Sequence, residues 1–233
     1  MPIHSIEPRR LYRQIADQIK TLIRSGEYKP GTRLPPERDL AKQLGVSRPS
    51  VREALIALEV EGLVDVRIGS GIYVQRSGIN GAGDSVQAAS GPFELLRARW
   101  IIEGECAALA AKSAKSDQIA AMEDALGQMQ HVMDSENKQP LAADRLFHLR
   151  VAEGTGNGAL VAVLKMLWEE RMGPLFKQLE HHYDTPELWV AAIAEHRAVL
   201  KAITARNADG ARAAMQRHLN KAYKRFNTGW DKL

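Results

Sequence analysis

One stretch between Leu34 and Val74, LPPERDLAKQLGVSRPSVREALIALEVEGLVDVRIGSGIYV, constrains the fold of this chain more than any other feature. Gly45 stands where a first short helix must end. Ser47 follows as an N-cap, since its hydroxyl can accept a backbone N–H that has no partner inside a helix. A second helix is therefore predicted to begin at Arg48. This order is typical of two helices joined by a sharp turn.

The second predicted helix has one apolar side and one polar side. The apolar side recurs at helical spacing through Val51, Leu55 and Leu58. The polar side, near the helix start, is predicted to point outward and carries Arg48, Ser50 and Arg52. Hydroxyl and guanidinium groups of this kind read base edges and phosphates in a major groove.

A β-hairpin is predicted directly after that helix. Apolar residues alternate at Val64, Val66 and Ile68, and again at Ile72 and Val74, on either side of Gly69-Ser70-Gly71. A hairpin tip with such small residues can approach a phosphate or a minor groove. Two helices, a turn and a hairpin in this order predict a winged helix-turn-helix, and hence binding to duplex DNA.

From Arg10 to Val74 the sequence resembles the DNA-binding domain of the GntR family of bacterial repressors and activators. The resemblance implies that six residues contact DNA: Arg38, Ser47, Arg48, Ser50, Arg52 and Gly69. Two positions depart from the pattern, because Pro49 replaces a small polar residue and Ile68 occupies a wing position that is often polar. Neither is included among the expected contacts.

Charge and hydropathy patterning agree with a DNA-binding protein away from membranes. Residues 1–76 hold 13 basic and 9 acidic side chains, whereas the remaining residues hold 19 of each, so the whole positive excess lies in the predicted DNA-binding part. No apolar run approaches the roughly 20 residues of a spanning helix, and the N-terminus has no signal-peptide core. We expect a cytoplasmic protein. Its single cysteine, Cys106, is predicted to be a small packed side chain.

The chain is predicted to be mainly α, with a winged helix-turn-helix domain at 1–76, a Gly-, Ser- and Ala-rich linker at 77–91 and an all-α bundle at 92–233. Periodicity in the bundle predicts six helices and no strand. Their expected limits are Pro92 to Ser113, Ser116 to Ser135, Pro140 to Gly154, Gly158 to His182, Pro186 to Ala205, and Ala208 to Thr228.

Four residues of the bundle are candidate metal ligands. Asp144 and His148 lie four apart, so a helix stacks them on one face. His196 and His218 sit on later helices, each followed by apolar residues suited to a buried face. If those helices pack antiparallel, the four side chains can converge on a divalent cation.

From about Phe93 to Ala222 the chain also resembles the FCD ligand-binding domain of the FadR-type branch of the GntR family. The resemblance rests on four segments, ELLRARWIIEGECAALAA, DRLFHLRVAEGTGNGAL, AEHRAVLKAI and ARAAMQRHL. It implies that Asp144, His148, His196 and His218 hold a divalent metal, with zinc favoured over nickel, manganese, cobalt or iron. It also implies that Arg99 contacts an acidic effector; pairing with Glu103 one turn away is the alternative for that arginine.

The sequence therefore predicts a homodimeric, metabolite-responsive transcription regulator, with repression favoured, that binds a palindromic operator and is not an enzyme. The effector is expected to be a small carboxylate. A hexuronate or aldonate is favoured because the segments FELLRARWIIEGECAALAA and VLKMLWEERMGPLFKQL are most similar to regulators of that catabolism. Lactate, glycolate and dicarboxylates are alternative effectors. Two alternative functions stay open: a metal sensor without an organic effector, and a metal-dependent hydrolase fused to a DNA-binding domain.

Overall fold

A computed structural model describes residues 10–67, 69–76, 89–136, 140–183 and 185–228. The chain divides into two compact units. The first contains the residues up to Phe93, the segment Gly173–His182 and the chain from Asn227 onward; the second contains Glu94–Met172 and Tyr183–Phe226. Ile68 and most of the predicted linker, residues 77–88, lie outside the described residues. Among the described helices, none is long and apolar enough to cross a membrane.

The described ranges form ten helices and one two-stranded sheet. In chain order the elements are α1 (Leu11–Arg24), α2 (Glu37–Leu44), α3 (Arg48–Val60), β1 (Val64–Arg67), β2 (Gly71–Val74), α4 (Pro92–Ser113), α5 (Ser116–Glu136), α6 (Leu141–Glu153), α7 (Gly158–Arg171), α8 (Pro174–His181), α9 (Pro186–Thr204) and α10 (Ala208–Thr228).

The first unit contains the predicted helix-turn-helix, which is confirmed at each of its signals. Gly45 ends α2 in the left-handed conformation with φ of 65°, which glycine adopts at low cost. Ser47 caps α3 by accepting the Ser50 backbone N–H, and α3 begins at Arg48 as predicted. Helix α1 packs on α3 and contributes buried apolar side chains, and α8 covers another side of α3.

The predicted wing is confirmed as an antiparallel hairpin. Strands β1 and β2 pair in the register Val64↔Val74 and Val66↔Ile72, and all four of these side chains are buried. Gly71 has φ of 130°, and a side chain there would collide with Arg33, whose Nε would lie 2.2 Å from an added Cβ. The glycine therefore allows Arg33 to pass close to the base of the hairpin turn.

The second unit is built from helices throughout its described residues, as predicted. Helix α5 packs against α6 and α9, and the interior is filled by large apolar side chains including Phe147, Trp168, Leu164 and Met215. Cys106 is buried in this core, which confirms its predicted packing role. The interior also contains several charged or imidazole side chains, which a purely structural core does not need.

One predicted helix is wrong. The expected single helix from Gly158 to His182 is broken into α7 and α8, which belong to different units. The break falls at Gly173, which is extended with ψ of 169°, and Pro174 then opens α8. Proline disfavours helical backbone in the residue before it and lacks an N–H to continue the ladder, so the two helices separate there.

Candidate nucleic-acid interface and metal centre

The N-terminus of α3 presents the small polar groups expected of a recognition helix. Ser47 is exposed, and its Oγ lies 2.8 Å from Oγ of Ser50. The Arg48 side chain is 40% exposed, and its Nε donates to Glu37 at 2.8 Å. These three residues lie together at one helix end, where an approaching phosphate also meets backbone N–H groups.

Arg52 does not point outward, and the sequence-based expectation for its orientation is wrong. Its side chain is fully buried. Its Nε and Nη2 donate to the two carboxylate oxygens of Glu37 at 2.8 and 2.9 Å, and Nη1 donates to the carbonyl and side chain of Asn227 at 2.8 and 3.0 Å. Arg52 does lie on the side of α3 away from Val51, Leu55 and Leu58, as its position in the helix predicts. That side is also covered, by α2 and by the segment around Asn227. The predicted DNA contact of Arg52 stays a prediction, and in this arrangement it requires that the buried pair open.

The remaining predicted contacts lie on the surface. Arg38 is on the first turn of α2 with a side chain that is 70% exposed, and Gly69 is at the hairpin tip with φ of 79°. Sequence reasoning missed two nearby arginines. Arg33 is exposed beside Gly71, and Arg67 is 57% exposed and lies over the ring of Tyr73, 4.8 Å from its centroid. Arg67 could have been found, because it lies just before the glycine-rich turn in the sequence, whereas Arg33 reaches that turn only through the fold.

The four candidate metal ligands converge in the second unit. Asp144 and His148 come from α6, His196 from α9 and His218 from α10, and each is buried. One ligand atom from each lies within 4.8 Å of the corresponding atoms of the others. Nε2 of His196 lies 3.0 Å from Nε2 of His148 and 3.2 Å from Oδ1 of Asp144, while Nε2 of His148 lies 3.6 Å from that oxygen.

The outer nitrogen of every imidazole is engaged by an acceptor. Nδ1 of His148 contacts the Glu103 carboxylate, Nδ1 of His196 lies 2.7 Å from the Ala192 carbonyl, and Nδ1 of His218 lies 2.8 Å from Glu195. Carbonyl and carboxylate oxygens only accept, so each Nδ1 carries the proton. In the neutral rings each Nε2 is then a lone pair, and three lone pairs and a carboxylate oxygen converge without a donor.

Electrostatics inside the cluster indicate that it needs positive charge. Without a cation, a proton on Nε2 of His148 or His196 can occupy the same space. Burial opposes ionisation of Asp144, yet hydrogen bonds from these two imidazoles in that protonated form hold its pKa well below the usual range. Burial also lowers the pKa of His148, but the Glu103 and Asp144 carboxylates outweigh burial and raise it. Burial and repulsion from His196 lower the pKa of His218 to about 3. The cluster therefore combines a stable carboxylate with at least one imidazole that stays neutral.

These residues fit a divalent cation in both number and kind. Donors about 2.1 Å from one ion lie roughly 3 to 3.5 Å apart, which is close to the three separations given above. Each imidazole has an outer partner that fixes its ring and its tautomer, as in established metal sites. Glu195 also contacts Lys221 at 3.1 Å and Arg225 at 3.2 Å, so it is itself held in place. Imidazole and carboxylate donors suit zinc and the other transition metals predicted.

Beside the cluster lies a layer of buried cationic and aromatic groups. Arg99 is 3% exposed, and its Nε donates to Glu103 at 2.5 Å. The pKa of Glu103 is about 2, since Arg99 and His148 outweigh the effect of burial. The guanidinium carbons of Arg99 and Arg171 lie 4.2 and 5.1 Å from the Trp168 ring centroid. The pairing of Arg99 with Glu103 is thus present, and it uses only one of the five guanidinium donors.

Several supporting residues were not found from sequence. Glu103 was noted only as a possible partner of Arg99, and Glu195 and Arg171 were not singled out. A signal for Glu195 exists, because it directly precedes His196.

Comparison with family models identifies the family to which the chain belongs. Residues 11–74 match the model described as bacterial regulatory proteins, gntR family, and residues 94–221 match the FCD domain. The chain belongs to the GntR family, in the branch with an FCD domain. The resemblance inferred from its motifs is confirmed, as is the mainly helical architecture with an N-terminal helix-turn-helix.

Relatives of similar length support the same assignment. The chain is 38% identical over 223 residues to the Uxu operon transcriptional regulator of Escherichia coli, covering 93% of this chain and 87% of that protein. It is 41% identical over 224 residues to the Exu regulon transcriptional regulator of the same species, covering 91% and 83%. This GntR-family chain is therefore a DNA-binding transcription regulator and not an enzyme, which confirms both predictions.

Solved structures also match across nearly the whole chain. A GntR protein of Streptococcus agalactiae superposes with a TM-score of 0.50 at 26% identity, covering 91% of this chain and 99% of that one. The E. coli protein McbR/YncC superposes with a TM-score of 0.52 at 24% identity, covering 94% and 97%; this second match supports the fold alone.

Proposed function

We propose that this transcription regulator changes its operator affinity when a small sugar acid binds beside a divalent cation in the FCD domain. The observation that carries the proposal is the convergence of Asp144 Oδ1 with imidazole nitrogens whose protons are all directed outward. A buried set of acceptors without a donor is costly unless a proton or a cation lies among them. Hydrogen bonds from protonated His148 and His196 hold the pKa of Asp144 low in spite of burial, so its carboxylate stays ionised, and a cation can take the place of those protons.

The cation would be held by Asp144, His148, His196 and His218, and when bound it would supply a Lewis-acidic position for a carboxylate oxygen of the effector. Arg99 then offers its remaining guanidinium donors to the same anion, and its planar fork suits a carboxylate. Glu103 keeps Arg99 and His148 aligned. The sequence similarity to regulators of hexuronate and aldonate catabolism favours a sugar acid over lactate, glycolate or a dicarboxylate.

The DNA-binding role is carried by the N-terminus of α3 and by the wing. Ser47, Arg48 and Ser50 would meet the major groove, and Arg38 and Gly69 would lie near phosphates. A homodimer with two such units would bind two halves of a palindromic operator, because its symmetry matches that of the site. Effector binding would alter operator affinity only if the effector binds one conformation of the dimer more tightly than the other.

A DNA-binding titration tests this proposal. The purified protein first selects a duplex from a randomised pool, and binding of that labelled duplex is then followed by fluorescence anisotropy with zinc and D-galacturonate, D-glucuronate or D-gluconate. We expect one acid to weaken DNA binding by about 5- to 150-fold, the usual range of allosteric coupling. Chelation, and the variant His196→Ala, should abolish the response.

The exposed His131 provides a matched control, since His131→Ala makes the same substitution in the same unit. This variant should respond like the parent. DNA affinity that stays constant with every acid contradicts the proposal. If zinc alone controls DNA affinity and no acid adds to its effect, the protein is a metal sensor instead.

A further inference from the structure

Trp168 contains a buried polar group that the fold leaves without a partner. The residue is fully buried in α7, and its indole Nε1 makes no hydrogen bond within the part of the chain that the structure describes. A buried donor without an acceptor lowers the stability of the fold, because its hydrogen bond to water is lost and not replaced. A hydrocarbon ring such as that of phenylalanine has no N–H and would avoid this unpaired donor, so the presence of an indole at this position suggests a role for its N–H.

The position of Trp168 connects it with the metal cluster. Its ring centroid lies 5.4 Å from that of His148, one of the four converging ligands. Arg99 and Arg171 lie over the same indole, with guanidinium carbons 4.2 and 5.1 Å from its centroid. Two such contacts, together with complete burial, restrict the orientation of the ring. The unpaired N–H is therefore held in a fixed direction on a ring that lies beside His148 and two guanidinium groups.

We propose that the Trp168 indole N–H is a specificity-determining donor to the effector, and that it recognises a hydroxyl or ring oxygen of a polyhydroxylated acid. This inference rests on the proposed effector site beside His148. Arg99 takes the anionic end in that proposal, which leaves the neutral oxygens of a sugar acid as acceptors for a neutral donor. A simple carboxylic acid has no such oxygen to offer.

The expected selectivity follows from the cost of unpaired groups. A site built to donate to a ligand oxygen discriminates against a ligand that lacks it, because the buried donor then stays unsatisfied. Trp168 would thus separate polyhydroxylated acids from acids such as acetate or propionate. Arg171 would contribute by fixing the indole and by adding positive charge near the anion.

Isothermal titration of the zinc-loaded, full-length protein tests the inference, with D-galacturonate, D-glucuronate, D-gluconate and acetate as probes. The variant Trp168→Phe keeps an aromatic side chain and removes the donor together with part of the indole ring, so the same substitution at Trp189 controls for the lost volume. We expect it to bind the preferred sugar acid about tenfold more weakly, while acetate and zinc bind as in the parent. Trp189→Phe is the matched control, because Trp189 is also buried with an unpaired Nε1 but lies about two turns before His196 in α9. It should bind like the parent.

A second readout does not depend on how well the variant folds. In the parent protein labelled with ¹⁵N-tryptophan, the Trp168 indole N–H resonance should shift downfield with the sugar acid and stay in place with acetate. The inference is wrong if Trp168→Phe binds the sugar acid with unchanged affinity, or if the indole resonance does not shift when the sugar acid binds. Neither result would contradict the proposed effector site. Failure of the parent to bind any of these acids contradicts the effector site itself.

Discussion

Two buried clusters of charged side chains, one in each unit, differ in how their charges are balanced. In the first unit Glu37 is paired with Arg52 through two hydrogen bonds and with Arg48 through a third, and Asn227 takes a further Arg52 donor. Donors and acceptors match. In the second unit, Asp144 lies near imidazole Nε2 atoms, and the Nδ1 protons of the same rings are donated to partners outside the cluster. Acceptors outnumber donors there.

This difference distinguishes a structural ion pair from the proposed binding site. A matched pair is satisfied by the fold alone, and adding a ligand gains nothing. An unmatched set of acceptors is satisfied only by a proton or a cation from solution. Burial by itself therefore does not distinguish the two clusters; the direction of each imidazole proton does.

The largest effect is expected from substitutions that break the matched cluster of Glu37 and Arg52. Glu37→Ala and Arg52→Ala should each lower the free energy of unfolding by about 3 to 5 kcal/mol, because each leaves an uncompensated buried charge. Replacing both residues by Leu and Met should recover most of that loss. Urea unfolding of the four proteins, with and without zinc, measures this. If the double variant loses as much unfolding free energy as the single variants, an uncompensated charge is not the cause of the loss.

Zinc should act on the second cluster and leave the first unaffected. At a free concentration 1,000 times its Kd, zinc should stabilise the chelated protein by about 4 kcal/mol, visible as a rise in Tm. His148→Ala should lose most of this stabilisation, whereas the exposed control His131→Ala should keep it. Equal zinc stabilisation in both variants would place the cation elsewhere.

A smaller effect is expected from the outer partner of one imidazole. Glu195→Gln keeps the size of the side chain but weakens the acceptor that orients His218 and removes the charge held by Lys221 and Arg225. Zinc affinity should fall by about 10- to 100-fold. Glu187→Gln on the exposed start of the same helix is the matched control and should bind zinc normally. Competition with a chromophoric chelator measures both affinities.

The smallest effect concerns pH. Despite burial, the Glu103 and Asp144 carboxylates raise the pKa of His148 above 6.5, so protonated His148 stabilises the metal-free fold below that pH. This stability should be lost as pH rises through the raised pKa. Zinc competes with the same proton, so its affinity should rise over that range and its binding should release a proton near neutral pH. Titration in buffers of different ionisation enthalpy counts the protons; no release contradicts the assignment of His148 as a ligand.

The sequence was sufficient for the helix-turn-helix, the wing and most helix limits, because caps, glycines and periodicity are local signals. The break before Pro174 was also readable locally but was missed. Burial of Arg52 was not readable, since its partners Glu37 and Asn227 come from distant positions in the chain. Helical spacing alone paired Asp144 with His148. The full set of four proposed ligands was predicted only because the chain resembles the FCD family. Outer partners such as Glu195 depend on how α9 and α10 pack, which periodicity does not encode.

The most direct test of the metal centre is zinc K-edge X-ray absorption on protein that has been chelated and reloaded with one equivalent of zinc. We expect a first shell of nitrogen and oxygen, with outer scattering from three imidazoles that falls to two in His148→Ala and stays at three in His131→Ala. A spectrum with oxygen ligands alone, or one that His148→Ala leaves unchanged, would contradict a cation held by Asp144, His148, His196 and His218.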